Sequence, residues 1–220
     1  MLNKILLKLF GLRLISSQCG EDLIIESLIP NKKDGFYVDI GANHPIKFNN
    51  TLLFYNKGWT GINIEPNHSR MWLFKLLRKR DINLNVGIGQ TESVMNFHVF
   101  KESTLSTFDN NAADKYIKMG HPLEKTIRIP ILPLKDILEK HGANKEIDIM
   151  SIDTEGFDME VLESNDWTKF RPRFLIIETL EYDKNEGGKK LNNIFDPYLE
   201  KIGYKKFAET YINTIYEKTH

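Results

Sequence analysis

The sequence contains one cysteine and has no excess of either charge. An internal disulfide needs two thiols and a cysteine-rich zinc site needs several, so Cys19 alone excludes both from this chain. The 30 basic residues are balanced by 30 acidic residues, and no overall field therefore directs the protein to nucleic acid or to an acidic polymer. We expect a cytoplasmic protein whose specificity comes from a local site.

No apolar run is long enough to cross a bilayer, which takes ~20 residues. Residues 1–15 come closest, but Lys4, Lys8 and Arg13 interrupt them and no small-residue cleavage site follows. Lysines on one side and leucines on the other predict an amphipathic N-terminal helix over residues 1–15. This helix would dock on the domain or on a partner chain, as in a homo-oligomer, or make peripheral contact with an anionic membrane.

No stretch rich in Pro, Gly and Ser divides the chain, so residues 16–220 are predicted to form a single domain. The chain is 41% hydrophobic and 27% charged, which is typical of a folded protein with one core. The regular pattern is interrupted at about residues 90–146, where two alternating segments, 94–100 and 126–132, are predicted to pair as added strands. An insertion there would form a wall or lid on the substrate side.

The sequence also lacks the G-x-G-x-x-G motif of dinucleotide-binding folds. It has instead a strand that is followed by a tight turn with a single glycine. A β-favouring apolar strand contains Asp39, and Gly41 then allows a sharp turn close to a ligand. A second short strand stops at Glu65, an acid placed to accept hydrogen bonds from a ribose diol. Because ligands lie beyond the carboxyl ends of such strands, Asp39, Gly41, Asn43 and Glu65 are predicted to line a nucleoside pocket.

Asp153 and Glu178 each follow a further apolar strand. The carboxyl ends of parallel strands lie at one edge of a sheet, so these acids are predicted to join Asp39 and Glu65 in a polar, ligand-facing rim. An acid after a strand often only caps the next helix, and this alternative stays open for the neighbouring Glu155.

The segment 67–80 has the spacing of an amphipathic helix. Met71, Phe74 and Leu77 are predicted to face the core, and the basic residues, Arg78 among them, are predicted to face solvent. We interpret this charged run as a solvated face rather than a binding patch.

With these motifs the chain resembles the FkbM-type S-adenosylmethionine-dependent methyltransferases, from about residue 17 to residue 216. The matching motifs are SQxGED at 17–22, YVDIGAN at 37–43, GWxGIxIEP at 58–66 and IDxEG at 152–156, before VL at 161–162. The resemblance implies an α/β class I methyltransferase fold. This fold has a Rossmann-like, seven-stranded, mostly parallel sheet with helices on both faces and a C-terminal antiparallel hairpin.

The resemblance also implies how the cofactor is held. Asp39, Gly41 and Asn43 would bind the methionine part of S-adenosylmethionine and Glu65 its ribose, while Gln18 would reach the cofactor from the preceding helix. The wider methyltransferase turn carries a third glycine that this chain lacks. Asn tolerates unusual backbone angles, so the turn is predicted to stay tight. A nicotinamide oxidoreductase would need the missing phosphate loop.

Members of the family methylate hydroxyls, which implies transfer to a sugar, nucleotide sugar or glycan. The enzyme would align an acceptor oxygen and remove its proton, and Asp153 and His44 are the candidate catalytic residues. Asp153 and Glu178 would also suit Mg²⁺, or they shape the pocket by hydrogen bonds alone. The alternative is a non-catalytic binding or scaffold module with a degenerate nucleotide pocket, in which residues 1–15 bind a membrane or partner.

Overall fold

A computed structural model describes residues 15–142, 145–183, 187–190 and 192–219. The helix predicted over residues 1–15 therefore lies outside the described residues, except for its last position. No helix in the described part of the chain is long and apolar enough to cross a membrane.

Helices and strands alternate along the chain. The first half contains α1 (Glu21–Leu28), β1 (Phe36–Ile40), α2 (Leu52–Asn56), β2 (Thr60–Ile64), α3 (His68–Leu77), β3 (Ile82–Leu84), β4 (Gly87–Ile88) and β5 (Ser93–Phe100). After a 3₁₀ turn (Ser103–Leu105) come α4 (Asn110–Lys118), β6 (Leu123–Leu132), α5 (Leu134–His141), β7 (Ile149–Ile152) and α6 (Asp158–Glu163). The last part contains β8 (Phe174–Glu178), β9 (Leu180–Asp183), β10 (Gly187–Lys190), α7 (Asn192–Lys201), β11 (Tyr204–Glu209) and β12 (Asn213–Lys218).

Seven of the described strands form one sheet in the order β11-β12-β8-β7-β1-β2-β3. Neighbours from β8 to β3 pair in parallel, whereas β12 is antiparallel to both β8 and β11. This arrangement confirms the class I methyltransferase fold and its terminal hairpin. The chain order changes direction between β1 and β7, and this is the position where open α/β sheets bind ligands.

Alternation along β1 places apolar side chains on both faces of the sheet. Val38 and Ile40 pack in the core cluster that also contains Leu138 of α5 and Leu199 of α7. Tyr37 points the other way and packs in a second cluster, which includes residues of α1 and α2. Because both faces are covered, β1 is buried along its whole length.

The insertion forms a separate small sheet in the order β4-β6-β5. Strands β5 and β6 pair antiparallel, with Val94 opposite Pro130 and Phe97 opposite Ile127, which confirms the predicted pairing. Phe97 stacks on Phe108 at 4.7 Å between ring centroids. The insertion therefore has its own apolar core.

Helix α3 departs from the prediction in its last turn. Met71 and Phe74 are buried as predicted, but Leu77 is 43% exposed and Arg78 is fully buried. The helix ends at Leu77, and Arg78 has non-helical backbone angles. Helical spacing therefore no longer applies at Arg78, and its side chain turns inward to polar partners.

Candidate active site

A cleft of about 900 Å³, including its open mouth, lies at the carboxyl ends of β1, β2 and β7. The sequence-predicted residues that line it are Gln18, Asp39, Gly41, Asn43, Glu65 and Asp153. His44 and Glu178 are not among the lining residues. The insertion closes one side with Phe97, Ser103, Thr104, Ser106 and Phe108. Side chains from separate parts of the sequence therefore meet in one cleft.

Asp39 of β1 is buried and is held from one side. Asn49 Nδ2 and Thr51 Oγ1 both donate to its Oδ2, at 3.0 and 2.8 Å. Oδ1 is thus the oxygen available to the cleft. Burial raises the pKa of Asp39, while the hydrogen bond from Thr51 and the nearby Arg78 guanidinium act in the opposite direction.

Arg78 organises a buried polar network behind Asp39. Its guanidinium donates to Thr51 Oγ1 at 2.7 Å, to Tyr37 Oη at 3.0 Å and to Asp81 Oδ2 at 3.1 Å. Thr51 in turn donates to Asp39, so Arg78 fixes the donor that orients the Asp39 carboxylate. Helical periodicity predicted the opposite location for Arg78, because it does not detect a polar partner that is distant in sequence.

The turn after β1 brings the chain back against β7. Gly41 has a φ of +73°, and a Cβ built at this position would lie 1.7 Å from the carbonyl oxygen of Asp153. Its N–H donates to Ile64 O at 3.0 Å. Asn43 has a φ of +48°, which confirms that the turn stays tight without a third glycine.

Glu65 follows β2 and is held by two backbone amides. Asn67 N–H donates to Oε1 at 2.7 Å, and Asn43 N–H donates to Oε2 at 2.8 Å. Burial raises the pKa of Glu65 to about 7, against the effect of these two hydrogen bonds. Each carboxylate oxygen of Glu65 keeps a second lone pair, so the two oxygens can accept hydrogen bonds from two adjacent hydroxyls.

Gln18 offers an unpaired acceptor in the cleft lining. Its Oε1 is buried and has no hydrogen-bond donor among the described residues. A buried acceptor without a donor costs about 1–3 kcal/mol, so a ligand that supplies an N–H or O–H is stabilised there.

The acids that follow Gln18 are structural. Glu21 is buried and accepts from Thr210 Oγ1 at 2.7 Å and from Asn213 Nδ2 at 2.9 Å. Asp22 accepts from Ser17 Oγ at 2.7 Å. The C-terminal hairpin therefore anchors the segment that presents Gln18, a long-range contact that the sequence pattern did not indicate.

Three carboxyl groups converge beside the cleft. One oxygen each from Asp153, Glu155 and Glu178 lies within 4.8 Å of the others. Burial raises the pKa of all three, that of Asp153 to about 7, and the negative charge of Asp158 acts in the same direction on each of them. The hydrogen bond between Glu178 and Asp153 raises the pKa of Glu178 and lowers that of Asp153, so Glu178 is the donor of this pair.

Glu155 is a site residue that sequence reasoning left as a possible helix cap. Its φ is +52°, and its carbonyl oxygen accepts from Thr107 Oγ1 of the insertion at 3.1 Å. Asp158 instead accepts from Thr154 N–H at 3.0 Å in the turn before α6. The left-handed backbone directs Glu155 into the cleft lining, next to Asp153.

His44 lies in the loop that follows the turn of Gly41 and Asn43. Its Nδ1 accepts from the backbone N–H groups of Ile46 and Lys47 at 3.0 and 3.1 Å. Burial, together with the positive charges of Arg70 and Lys47, lowers the pKa of His44. Because Nδ1 accepts these two hydrogen bonds, its lone pair is directed at the backbone of residues 46 and 47.

The chain is similar to known methyltransferases. The family model described as "Methyltransferase FkbM domain" matches residues 39–206. No curated protein matches significantly. Among solved structures, the chain is similar to the one titled "Crystal structure of small RNA methyltransferase HEN1", with 14% sequence identity and a TM-score of 0.42. That alignment covers 94% of this chain and 27% of the other.

Proposed function

Because the chain belongs to the FkbM methyltransferase family, we propose that it transfers a methyl group from S-adenosylmethionine to a hydroxyl of a sugar, nucleotide sugar or glycan. One observation supports the proposal most directly: acids from the ends of adjacent strands line the same cleft. These acids are Asp39, Glu65 and Asp153. We assign Asp39 and Glu65 to the binding of S-adenosylmethionine, and Asp153 to the hydroxyl that accepts the methyl group.

We assign the cofactor contacts by charge and hydrogen-bonding capacity. Glu65, fixed by two backbone amides, accepts from the two ribose hydroxyls. Asp39 Oδ1 and Gln18 Oε1 accept from the ammonium group of the methionine part. The bound cofactor supplies a methyl group on a positively charged sulfur, which is already reactive, so the protein's main task is alignment.

Asp153 is the proposed base for the acceptor hydroxyl. A catalytic base works best when its pKa lies near the working pH, and burial, together with the negative charge of Asp158, raises the pKa of Asp153 to about 7. Glu178, whose pKa is raised by burial and by its hydrogen bond with Asp153, is the proposed partner that orients the Asp153 side chain. His44 remains the second candidate, although its lone pair is used by the loop.

Binding of Mg²⁺ is the alternative role of the same carboxylates. Asp153 and Glu178, with Glu155, present oxygen ligands of the type that Mg²⁺ prefers, close enough to share one ion. The ion would lower the pKa of the acceptor hydroxyl and so remove the need for a protein base. Activity that survives complete chelation would exclude this role.

The function is tested by incubating the full chain with methyl-labelled S-adenosylmethionine and a panel of nucleotide sugars and glycans, followed by mass spectrometry. We expect one labelled methyl group on an acceptor oxygen. Asp153→Asn should lower kcat by ~10²–10⁴-fold with cofactor affinity retained, because it removes proton transfer without removing the cofactor contacts. Asp114→Asn, an exposed change on α4, is the matched control.

Two results would contradict this assignment. If Asp153→Asn turned over the identified acceptor at the wild-type rate, Asp153 would not be the base. If the wild-type chain bound no S-adenosylmethionine and methylated nothing in the panel, the scaffold alternative would be supported instead.

A further inference from the structure

The solvent side of α3 and the loop before α2 expose large apolar side chains. Trp72, Leu76 and Leu77 are 62%, 46% and 43% exposed, and Ile46 and Phe48 are 49% and 61% exposed. Trp72 and Leu76 are separated by one helical turn and so lie on one side of α3. We use the term α3 face for the surface formed by these five residues together with Lys47, Lys75 and Lys79.

The loop and the helix form one surface. Ala42, at the start of the loop, packs on Met71 and Phe74 of α3, and the carbonyl oxygen of Pro45 accepts from Arg78 at 3.2 Å. Phe48 and Arg70 both line the cleft. The α3 face is therefore continuous with the mouth of the cleft.

The charges on this surface are all positive. The segments 43–50 and 67–80 contain no Asp or Glu. Lys47, Lys75 and Lys79 are exposed, and none of them forms an ion pair with an acid in the described part of the chain. In a chain with equal numbers of basic and acidic residues, this is a local basic surface around an exposed tryptophan.

We propose that the α3 face docks the enzyme on an anionic phospholipid membrane, with the mouth of the cleft at the level of the lipid headgroups. Tryptophan is favoured at the membrane interface, leucines insert at the acyl boundary, and lysines attract anionic headgroups. A second copy of the same face would bring like charges together, which disfavours a symmetric dimer through this surface.

Docking has a consequence for the acceptor, and this part rests on the proposed function. A cleft that opens at the headgroup level would receive hydroxyls presented by the membrane. The acceptor class that fits is a glycan carried on a lipid. Membrane binding itself does not depend on which hydroxyl is methylated.

The test is co-sedimentation of the full chain with vesicles of phosphatidylcholine mixed with phosphatidylglycerol, against vesicles of phosphatidylcholine alone. We expect binding to the anionic vesicles only, weakened by added salt. Lys75→Glu with Lys79→Glu should reduce the partition coefficient by at least ~10-fold, since each basic residue near an anionic surface contributes measurably. Trp72→Ser with Leu76→Ser should reduce it by a similar factor, because it removes the inserted apolar groups.

Ile117→Ser with Lys118→Glu is the matched control, because it changes an exposed apolar residue and an exposed lysine on α4. It should bind vesicles like the wild type. All variants should keep their affinity for S-adenosylmethionine, which shows that they are folded and separates this test from that of the proposed function.

Three outcomes would overturn the proposal. The wild type could fail to sediment with anionic vesicles. The α3-face variants could bind as tightly as the wild type, which would assign binding to another segment such as residues 1–15. Size-exclusion chromatography could show a wild-type oligomer that the Trp72 and Leu76 changes dissociate, which would make the face a contact between copies of this chain.

Discussion

Arg78→Met is expected to lower the free energy of unfolding by about 3–5 kcal/mol, the usual effect of removing one partner from a buried ionic network. The side chains of Arg78 and Asp81 are both buried and lie 3.1 Å apart. Methionine fills much of the volume but leaves the Asp81 carboxylate without its cation. Tyr37 and Thr51 also lose a donor. The measurement is chemical denaturation followed by circular dichroism.

Lys79→Met is the matched control, because it makes the same replacement at the next residue, where the side chain is exposed. Its denaturation midpoint should stay close to that of the wild type. Equal midpoints for Arg78→Met and the wild type would show that the network does not support the fold. Arg78→Met should also weaken cofactor binding, since Thr51 would no longer be fixed against Asp39.

Gly41→Ala is expected to have an effect of comparable size on both folding and cofactor binding. The new Cβ would lie 1.7 Å from the carbonyl oxygen of Asp153, and both positions belong to the backbone. Neither group can rotate away, so the turn after β1 must separate from the end of β7. We expect a loss of ~3 kcal/mol or more in stability, typical of overpacking added to an unfavourable φ, and no measurable binding of S-adenosylmethionine.

Gly120→Ala separates the steric effect from the backbone effect. Gly120 has a φ of +86°, and nothing lies within 4 Å of a Cβ built there. Gly120→Ala should lower the free energy of unfolding only by the amount expected for an alanine with a positive φ, roughly 1–2 kcal/mol. If the two alanine variants lost the same stability, contact between Gly41 and Asp153 would not limit the turn.

The sequence pattern predicted the central sheet and the acidic rim because both depend on local rules. Each strand is a short apolar run followed by an acid, and parallel strands place their carboxyl ends at one edge. Asp39, Glu65 and Asp153 therefore line one cleft as expected, whereas Glu178, predicted in the same rim, is not among the residues that line it. The tight turn could be predicted because few residues other than glycine and asparagine tolerate a positive φ.

The missed features depend on contacts between residues distant in sequence. Arg78 continues a helical spacing beyond the residue where the helix ends, and only its partners on other elements explain its burial. The anchoring of Glu21 by the C-terminal hairpin is of the same kind.

Isothermal titration of the full chain with S-adenosylmethionine tests the central claim, that the acids at the strand ends form the donor site. We predict one bound equivalent for the wild type and for Glu124→Ala, an exposed control on β6. Glu65→Ala should bind ~10- to 100-fold more weakly, because it removes the charged acceptor of the ribose hydroxyls. Equal affinity for Glu65→Ala and the wild type would contradict the assignment of the cleft.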